Sequence, residues 1–391
     1  MRGSLYTYCA HGADCPDRAK RGHVKHGYRV DLAVGPDGKR RQQRQGGYAR
    51  KADAQRALSV ALAELASGVH QARSALTVAG YLESWLEGKG KIRESTAHAY
   101  RGHLTRYIIP AVGHLRLEDL RAPHLEAMYR EMSARGLSPA TVARCHATVR
   151  SALNSALRRG LVARNVSAHV ELPSVPRYVA QVWSPAEVGS FLDVLEDSGD
   201  RLAALYRLLV LRGLRRGEAV GLRWTDVDLD AGTATISQAV GQVGYRTVVT
   251  APKTAGSIRT VGLDGGTVAA LRAHRIAQAA ERLAFGGVWQ DVDNRVFTRP
   301  DGRPLHPESV SRAFERIAAA AGLPRIRLHD LRHSAATLAL EANVPMKVVS
   351  SMLGHSSTRL TSDVYSHVRN AVALEAAEAT VRLVPRRPRT G

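Results

Sequence analysis

The chain has 391 residues, with 56 Lys or Arg against 35 Asp or Glu, giving a net charge of +21 and a pI near 10.5. That length allows two or three domains with cores of their own, and the cation surplus points to a polyanionic partner, because neutralising phosphates releases condensed counterions. Three cysteines, Cys9, Cys15 and Cys145, are too few for a disulfide framework, no apolar run approaches the ~20 residues of a membrane span, and the N-terminus lacks the apolar stretch of a signal peptide, so a soluble cytoplasmic protein is expected.

Residues 1–66 differ in texture from the rest of the chain. Tyr28 to Val34 alternates like a strand, Gly35-Pro36-Asp37-Gly38 is a turn signal, and Lys39 to Arg44 reads as a basic return strand. Gly46-Gly47 should break that strand before a helix over 51–66. Arg40, Arg41 and Arg44 would project from this ribbon towards a DNA groove. Cys9, His11, Cys15, His23 and His26 gather here too. Their spacing is looser than the tight Cys-x2-4-Cys of a zinc finger, so a small metal-free loop is the expected reading, with zinc on Cys9, Cys15, His23 and His26 as the alternative.

Residues 74–172 read as a helical domain. Val78, Tyr81, Leu82, Trp85 and Leu86 recur at the spacing of one buried helix face. Ser95 is suited to cap a second helix carrying Tyr100, Leu104 and Tyr107, before Pro110 and Gly113 break the chain. A third helix, near Pro123 to Ala134, lines up Leu125, Met128, Tyr129 and Met132. Ser138-Pro139 opens a fourth, with Val142, Cys145, Val149 and Leu153 on the core side and Arg144, His146 and Arg150 on the other. Four helices with basic outer faces suit a DNA clamp.

The proline-marked stretch Leu172 to Arg177 is a linker, and a domain over 180–391 comes after it. Ser184 and Glu187 form a capping box ahead of Val188, Phe191, Leu192 and Leu195. Strands dominate from Val227 to about Val261, with turns at Asp230 to Gly232 and Gly241 to Gly244. Helices return from Thr267, interrupted near Asn294 to Pro307. The predicted whole is multidomain and mainly α with small β-sheets.

Within this last domain, His329-Asp330-Leu331-Arg332-His333 sets a histidine and an arginine three residues apart. Leu353-Gly354-His355 comes next, then Tyr365. Upstream stand Arg212-Gly213-Leu214-Arg215-Arg216-Gly217-Glu218 and Pro252-Lys253-Thr254. The order Arg-(Glu), Lys, His-x-x-Arg, Leu-Gly-His, Tyr resembles that of the tyrosine recombinase, or phage integrase, family, and the N-terminal part resembles an arm-site-binding domain of mobile-element integrases. The resemblance implies that Tyr365 is a nucleophile forming a 3′-phosphotyrosine, that Arg215 and Arg332 hold the scissile phosphate, and that Lys253 protonates the departing 5′-oxygen. His329 and His355 would complete the proton-transfer set, with Glu218 in support. Arg212 stands where the family often has Thr.

The chemistry can be weighed without the name. A phenol of pKa about 10 needs an acceptor or cationic surroundings to attack at neutral pH. Two guanidiniums stabilise charge that builds on the phosphate, a job that otherwise falls to metal ions. No carboxylate cluster or Gly-Lys-Ser/Thr phosphate loop occurs, so no cofactor is expected, and the covalent link conserves the bond energy for rejoining. Singly, each residue has a plainer role: His329 a helix cap, Arg332 a surface partner of Asp330, Lys253 a turn residue, Tyr365 part of a core. Arg223 and Arg259 read as structural or DNA-backbone contacts, and Trp224 as core. The expected function is site-specific integration, with excision as its possible reverse, by a homo-tetramer on double-stranded attachment sites at the nucleoid. An excision factor and a host DNA-bending protein are potential partners. A type IB topoisomerase and a chromosome-dimer resolvase are the alternatives. The amphipathic stretch Ala371 to Val381 is suited to dock on a neighbouring protomer, and a basic tail ends the chain.

Overall fold

The computed structural model describes residues 3–11, 15–16, 23–31, 42–66, 75–176, 178–250, 258–290 and 293–354. Arg40, Arg41, Lys253, His355, Tyr365 and the C-terminal stretch from 371 lie outside them. The chain divides into two compact units, Met1–Pro176 and Arg177–Gly391. Among the described residues no helix is long and apolar enough to cross a membrane.

The first unit opens with an antiparallel sheet of order β1-β2-β3: β1 Gly3–Cys9, β2 Val24–Asp31 and β3 Gln42–Tyr48. Helix α1 (Lys51–Ala66) covers one face, where Tyr28 and Val30 of β2 pack with Leu58 and Ala61. Strand β1 was not expected from the sequence, and the break expected at Gly46-Gly47 falls inside β3 instead. The register explains the second difference. His26 stands opposite Tyr48 and Tyr28 opposite Gln45, so Gly46 and Gly47 together face Gly27 as a bulge, with Gly47 at φ +101°. A Cβ on Gly27 would sit 2.6 Å from the Tyr6 ring, so glycine there lets the ring lie on the strand.

The helical part of this unit comprises α2 (Val78–Glu87), α3 (Glu94–His103), α4 (Ile109–Val112), α5 (Ala122–Ala134) and α6 (Pro139–Arg158). Thr77 caps α2 and Ser138 caps α6, each accepting a backbone N–H from the first turn. Val78, Tyr81, Leu82, Trp85 and Leu86 bury together, and Tyr81 Oη donates to Ala152 O at 2.7 Å. Three details depart from the sequence reading. Ser95 lies inside α3, which starts at Glu94 without a side-chain cap. Pro110 does not end the chain's helical path: a π-helical turn, Leu104–Ile108, joins α3 to α4 just ahead of it, a local widening that accommodates a residue with no N–H to donate. His146 is buried against the Tyr129 ring at 5.7 Å rather than exposed, while Arg144 and Arg150 do face solvent. Cys145 is a fully buried core residue.

The second unit is built on α7 (Pro185–Asp197) and α8 (Ala203–Arg212). Ser184 and Glu187 close the capping box at the start of α7. Helix α8 runs through the centre, with Leu205, Tyr206, Leu208, Leu209 and Val210 all buried, and Trp183, Phe191, Tyr206 and Phe314 cluster around it. After the short α9 (Arg216–Gly221) come two small sheets. One is β4-β5-β8 (Val227–Asp228, Thr233–Ile236, Arg259–Gly262), and the other is the hairpin β6-β7 (Ala239–Val243, Arg246–Thr250). The hairpin turns at Gly244, φ +60°, so Gly241 belongs to β6 and not to a turn. Helices α10 (Gly265–Phe285), α11 (Pro307–Ala320), α12 (Leu331–Glu341) and α13 (Met346–Leu353) complete the unit. Trp224 is half-buried at the edge of this core, its Nε1 donating to Gln278 Oε1 at 2.7 Å.

Candidate active site

Two helix ends and one strand start bring the cationic groups together. Helix α8 stops at Gly213, which adopts φ +62°. A side chain there would be strained, and its Cβ would lie 2.5 Å from Leu353 Cδ2. The chain turns at once into α9, whose N-cap residue is Arg215. Glu218, three residues on, accepts from Arg215 N at 2.9 Å and from its guanidinium at 2.7 Å. Across the sheet, Arg259 at the start of β8 grips the same carboxylate through two nitrogens, at 3.2 and 2.8 Å, and donates to Met352 O. Burial alone would raise the Glu218 pKa, but the hydrogen bonds and charge of Arg259, with Arg215 adding to them, hold it down to about 2.

Arg332 approaches from α12. Only 3% exposed, it donates to Gly213 O at 2.7 Å and to Leu353 O at 2.6 Å. Arg215 reaches Gly354 O at 3.2 Å. The two guanidiniums therefore rest on adjacent carbonyls at the end of α13, where Gly354 turns the chain at φ +65° directly before His355. Arg215 is the more open of the two, its side chain 42% exposed. Carbonyl acceptors help to orient both forks, and Arg215 also pairs with Glu218, whose single carboxylate it shares with Arg259.

His329 sits in the single 3-10 turn, Leu328–Asp330, that leads into α12. Its ring meets His333 edge-on at 5.7 Å. Desolvation by its surroundings, then the neighbouring His333 and Arg332, lower its pKa, which favours the neutral imidazole at pH 7. Asp330 does not pair with Arg332. It is fully buried and accepts from Arg327 N, from the Arg327 guanidinium and from Tyr178 Oη, the last at 2.7 Å. Arg327 in turn lies 3.4 Å above the Tyr178 ring. Thus Tyr178, directly after the proline-marked stretch, helps to fix the turn that carries His329.

The structure thus brings together Arg215, Glu218 and Arg332, and places His329 on the turn entering α12. Lys253 falls between β7 and β8 and, like His355 and Tyr365, outside the described residues. Arg44 is exposed on β3 directly opposite Arg29 of β2, and Arg144 and Arg150 lie along the open side of α6. Arg259, expected to be structural or a DNA-backbone contact, is structural, but its link to Glu218, like the role of Tyr178, was not read from the sequence. Neither carries a local signal, because both partnerships span long chain separations. Arg223 is structural, paired with Asp226 at 2.7 Å, and Arg212 pairs with Asp264 at the same distance. At the N-terminus, Cys9, Cys15 and His23 converge, whereas His26 turns to Thr7 Oγ1 at 3.4 Å.

Residues 181–371 match the phage integrase family, and residues 79–172 match the phage integrase central domain. An integrase from Streptomyces ambofaciens is 30% identical over 351 residues, which cover 86% of this chain and 87% of that protein. This chain belongs to the phage integrase family of tyrosine recombinases, enzymes that break and rejoin DNA strands. A tyrosine recombinase XerC-like protein from Caldanaerobacter subterraneus subsp. tengcongensis is 28% identical over 373 residues, 89% of this chain and 95% of that one. Among solved structures, the Tn1549 transposon integrase in complex with transposon right end DNA superimposes with a TM-score of 0.65 at 18% identity, covering 78% of this chain and 99% of that one. A lambda integrase tetramer bound to a Holliday junction gives 0.54 at 19% identity, covering 85% and 93%. At those identities the likeness is one of fold.

Proposed function

We propose that this chain is the integrase of a mobile element, acting as a tetramer on two double-stranded attachment sites in the cytoplasm. In this reading Arg215 and Arg332 clamp the non-bridging oxygens of the scissile phosphate, with Glu218 and Arg259 holding Arg215 in place. Tyr365 Oη attacks phosphorus, a phosphotyrosine ester forms at the 3′ end, and the bond to the 5′-oxygen breaks. That oxygen leaves with a proton from Lys253, and the phenol's proton passes to a neutral imidazole, His329 or His355. Rejoining is the same exchange reversed, with a 5′-hydroxyl as the nucleophile. Two fixed guanidiniums would stabilise the charge that builds on the non-bridging oxygens in both directions.

The observation that carries this reading is the arrangement of Arg215 and Arg332 on adjacent carbonyls of residues 353 and 354, one step before His355. The exposed basic residues Arg44 and Arg29 on the sheet, with Arg144 and Arg150 on α6, suit a protein that tracks phosphate backbones, and we assign residues 1–66 to arm-type sites and 74–172 to core-type sites. That N-terminal sheet favours an element integrase over a chromosome-dimer resolvase. An excision factor and a DNA-bending host protein would be its partners in setting direction. The test is a supercoiled plasmid carrying two attachment sites cloned from the element's junctions. Recombinant circles are the expected product. Relaxation of a plasmid with no such site, without recombinants from the paired sites, would support the type IB topoisomerase reading instead.

A further inference from the structure

At the base of the β1-β2 hairpin lies a cluster of metal-ligating side chains outside the recombination site. Cys9 closes β1, His23 directly precedes β2, and Cys15 folds back from the connection between them. One ligand atom from each lies within 4.8 Å of the other two, and Cys15 Sγ is 3.5 Å from His23 Nδ1. The sheet supplies the framework: Cys9 stands opposite Val24 in the ladder, and Ala10 N–H donates to His23 O at 2.9 Å. The ring of His11 stands beside His23, with centroids 4.6 Å apart. All three converging residues are half-buried.

We propose that Cys9, Cys15, His23 and His11 bind a structural zinc ion. Tetrahedral zinc with bonds of about 2.3 Å to sulfur and 2.0–2.1 Å to nitrogen places its ligand atoms about 3.3–3.8 Å apart. The Cys15–His23 pair already meets that spacing, the other two contacts among Cys9, Cys15 and His23 close by about 1 Å or less, and the exposed His11 ring beside His23 turns in as the fourth ligand. Two thiolates balance the charge of Zn²⁺, which suits a half-buried place, and their two thiol protons go to solvent on binding. Thiolate and imidazole together select zinc over magnesium or calcium. The finger-like spacing that the sequence lacks is supplied by strand pairing, which sets the ends of β1 and β2 side by side. The ion would clip the connection spanning residues 10–23 to a sheet whose own core holds only a handful of side chains, where small folds commonly need a staple.

The test uses the full chain purified under reducing conditions without chelator, with zinc counted by elemental mass spectrometry and Co²⁺ as a spectroscopic substitute. About one zinc per chain is expected, and Co²⁺ should give thiolate charge-transfer bands with tetrahedral d–d intensity. Cys9→Ser/Cys15→Ser should lose the metal and both cobalt signatures, while far-ultraviolet circular dichroism keeps its helical signal. His26→Ala should retain both, and His11→Ala should lower zinc affinity at least about tenfold, since a ligand is lost. Stripping zinc from the wild type should raise amide exchange in residues 3–31 and leave α7 to α13 unchanged. A wild-type chain that holds no zinc after zinc titration, with its thiols free or joined as a disulfide, would overturn the proposal. So would full retention in the double variant, loss in His26→Ala, or unchanged affinity in His11→Ala. None of these readouts depends on recombination.

Discussion

Replacing Glu218 by Gln tests how the candidate site is held. The carboxylate is 7% exposed and receives four hydrogen bonds, two from Arg259 and two from Arg215. Arg259 is itself 9% exposed, so the neutral amide leaves a buried guanidinium without its counter-charge. Removing one partner of such a pair costs about 3–5 kcal/mol. Proton linkage gives a similar figure. A pKa of about 2 against an ordinary 4.5 corresponds to about 3 kcal/mol, from 1.36 kcal/mol for each pH unit. The folded pKa is depressed, so this stabilisation is complete above about pH 4.5 and fades as pH falls towards 2. The assay is urea unfolding followed by tryptophan fluorescence, since Trp183, Trp224 and Trp289, three of the four tryptophans, report the second unit. Glu218→Gln should lose about 3 kcal/mol at pH 7, and the gap to wild type should narrow as the buffer is acidified below pH 4.5. A loss under about 1 kcal/mol, or a gap independent of pH, would refute the reasoning.

Gly213→Ala should lose about 2–5 kcal/mol, combining left-handed strain of about 1–2 with overpacking against Leu353 of about 1–3, and thermal unfolding measures it. Arg215→Ala should bind attachment-site DNA within a few-fold of wild type in a mobility-shift assay. Its single-turnover cleavage should fall at least about 10²–10³-fold, as for loss of a transition-state contact; an equal loss of binding would make Arg215 an affinity residue. Desolvation, His333 and Arg332 lower the His329 pKa, so its neutral form persists below pH 6.5. The acid limb of the cleavage rate should therefore fall below that value, and a limb above it would remove His329 as proton acceptor.

Much of the architecture could be read before folding because it rests on local rules. The buried face of α2, the Ser138-Pro139 opening of α6 and the Ser184–Glu187 box depend on neighbours within a few residues. Arg215 and Glu218 also meet locally, across one turn. What escaped reading depends on chain segments far apart. Strand β1 pairs with β2 only after a long connection, and Gly46-Gly47 looks like a break until Gly27 is seen opposite it. His146 reads as exposed until Tyr129 is packed on it. The link of Arg259 to Glu218 and the role of Tyr178 appear only once β8 meets Glu218 and Tyr178 reaches Asp330. The same holds for Cys9 and His23, separated in sequence but joined by the ladder.

The most direct measurement is a covalent trap. A duplex nicked near the cleavage point lets the short product diffuse away, so any phosphotyrosine adduct accumulates. After nuclease and protease digestion, mass spectrometry should find the nucleotide remnant on the peptide carrying Tyr365, and Tyr365→Phe should yield no adduct. An adduct that survives that substitution, or one mapped to another side chain, would contradict the account.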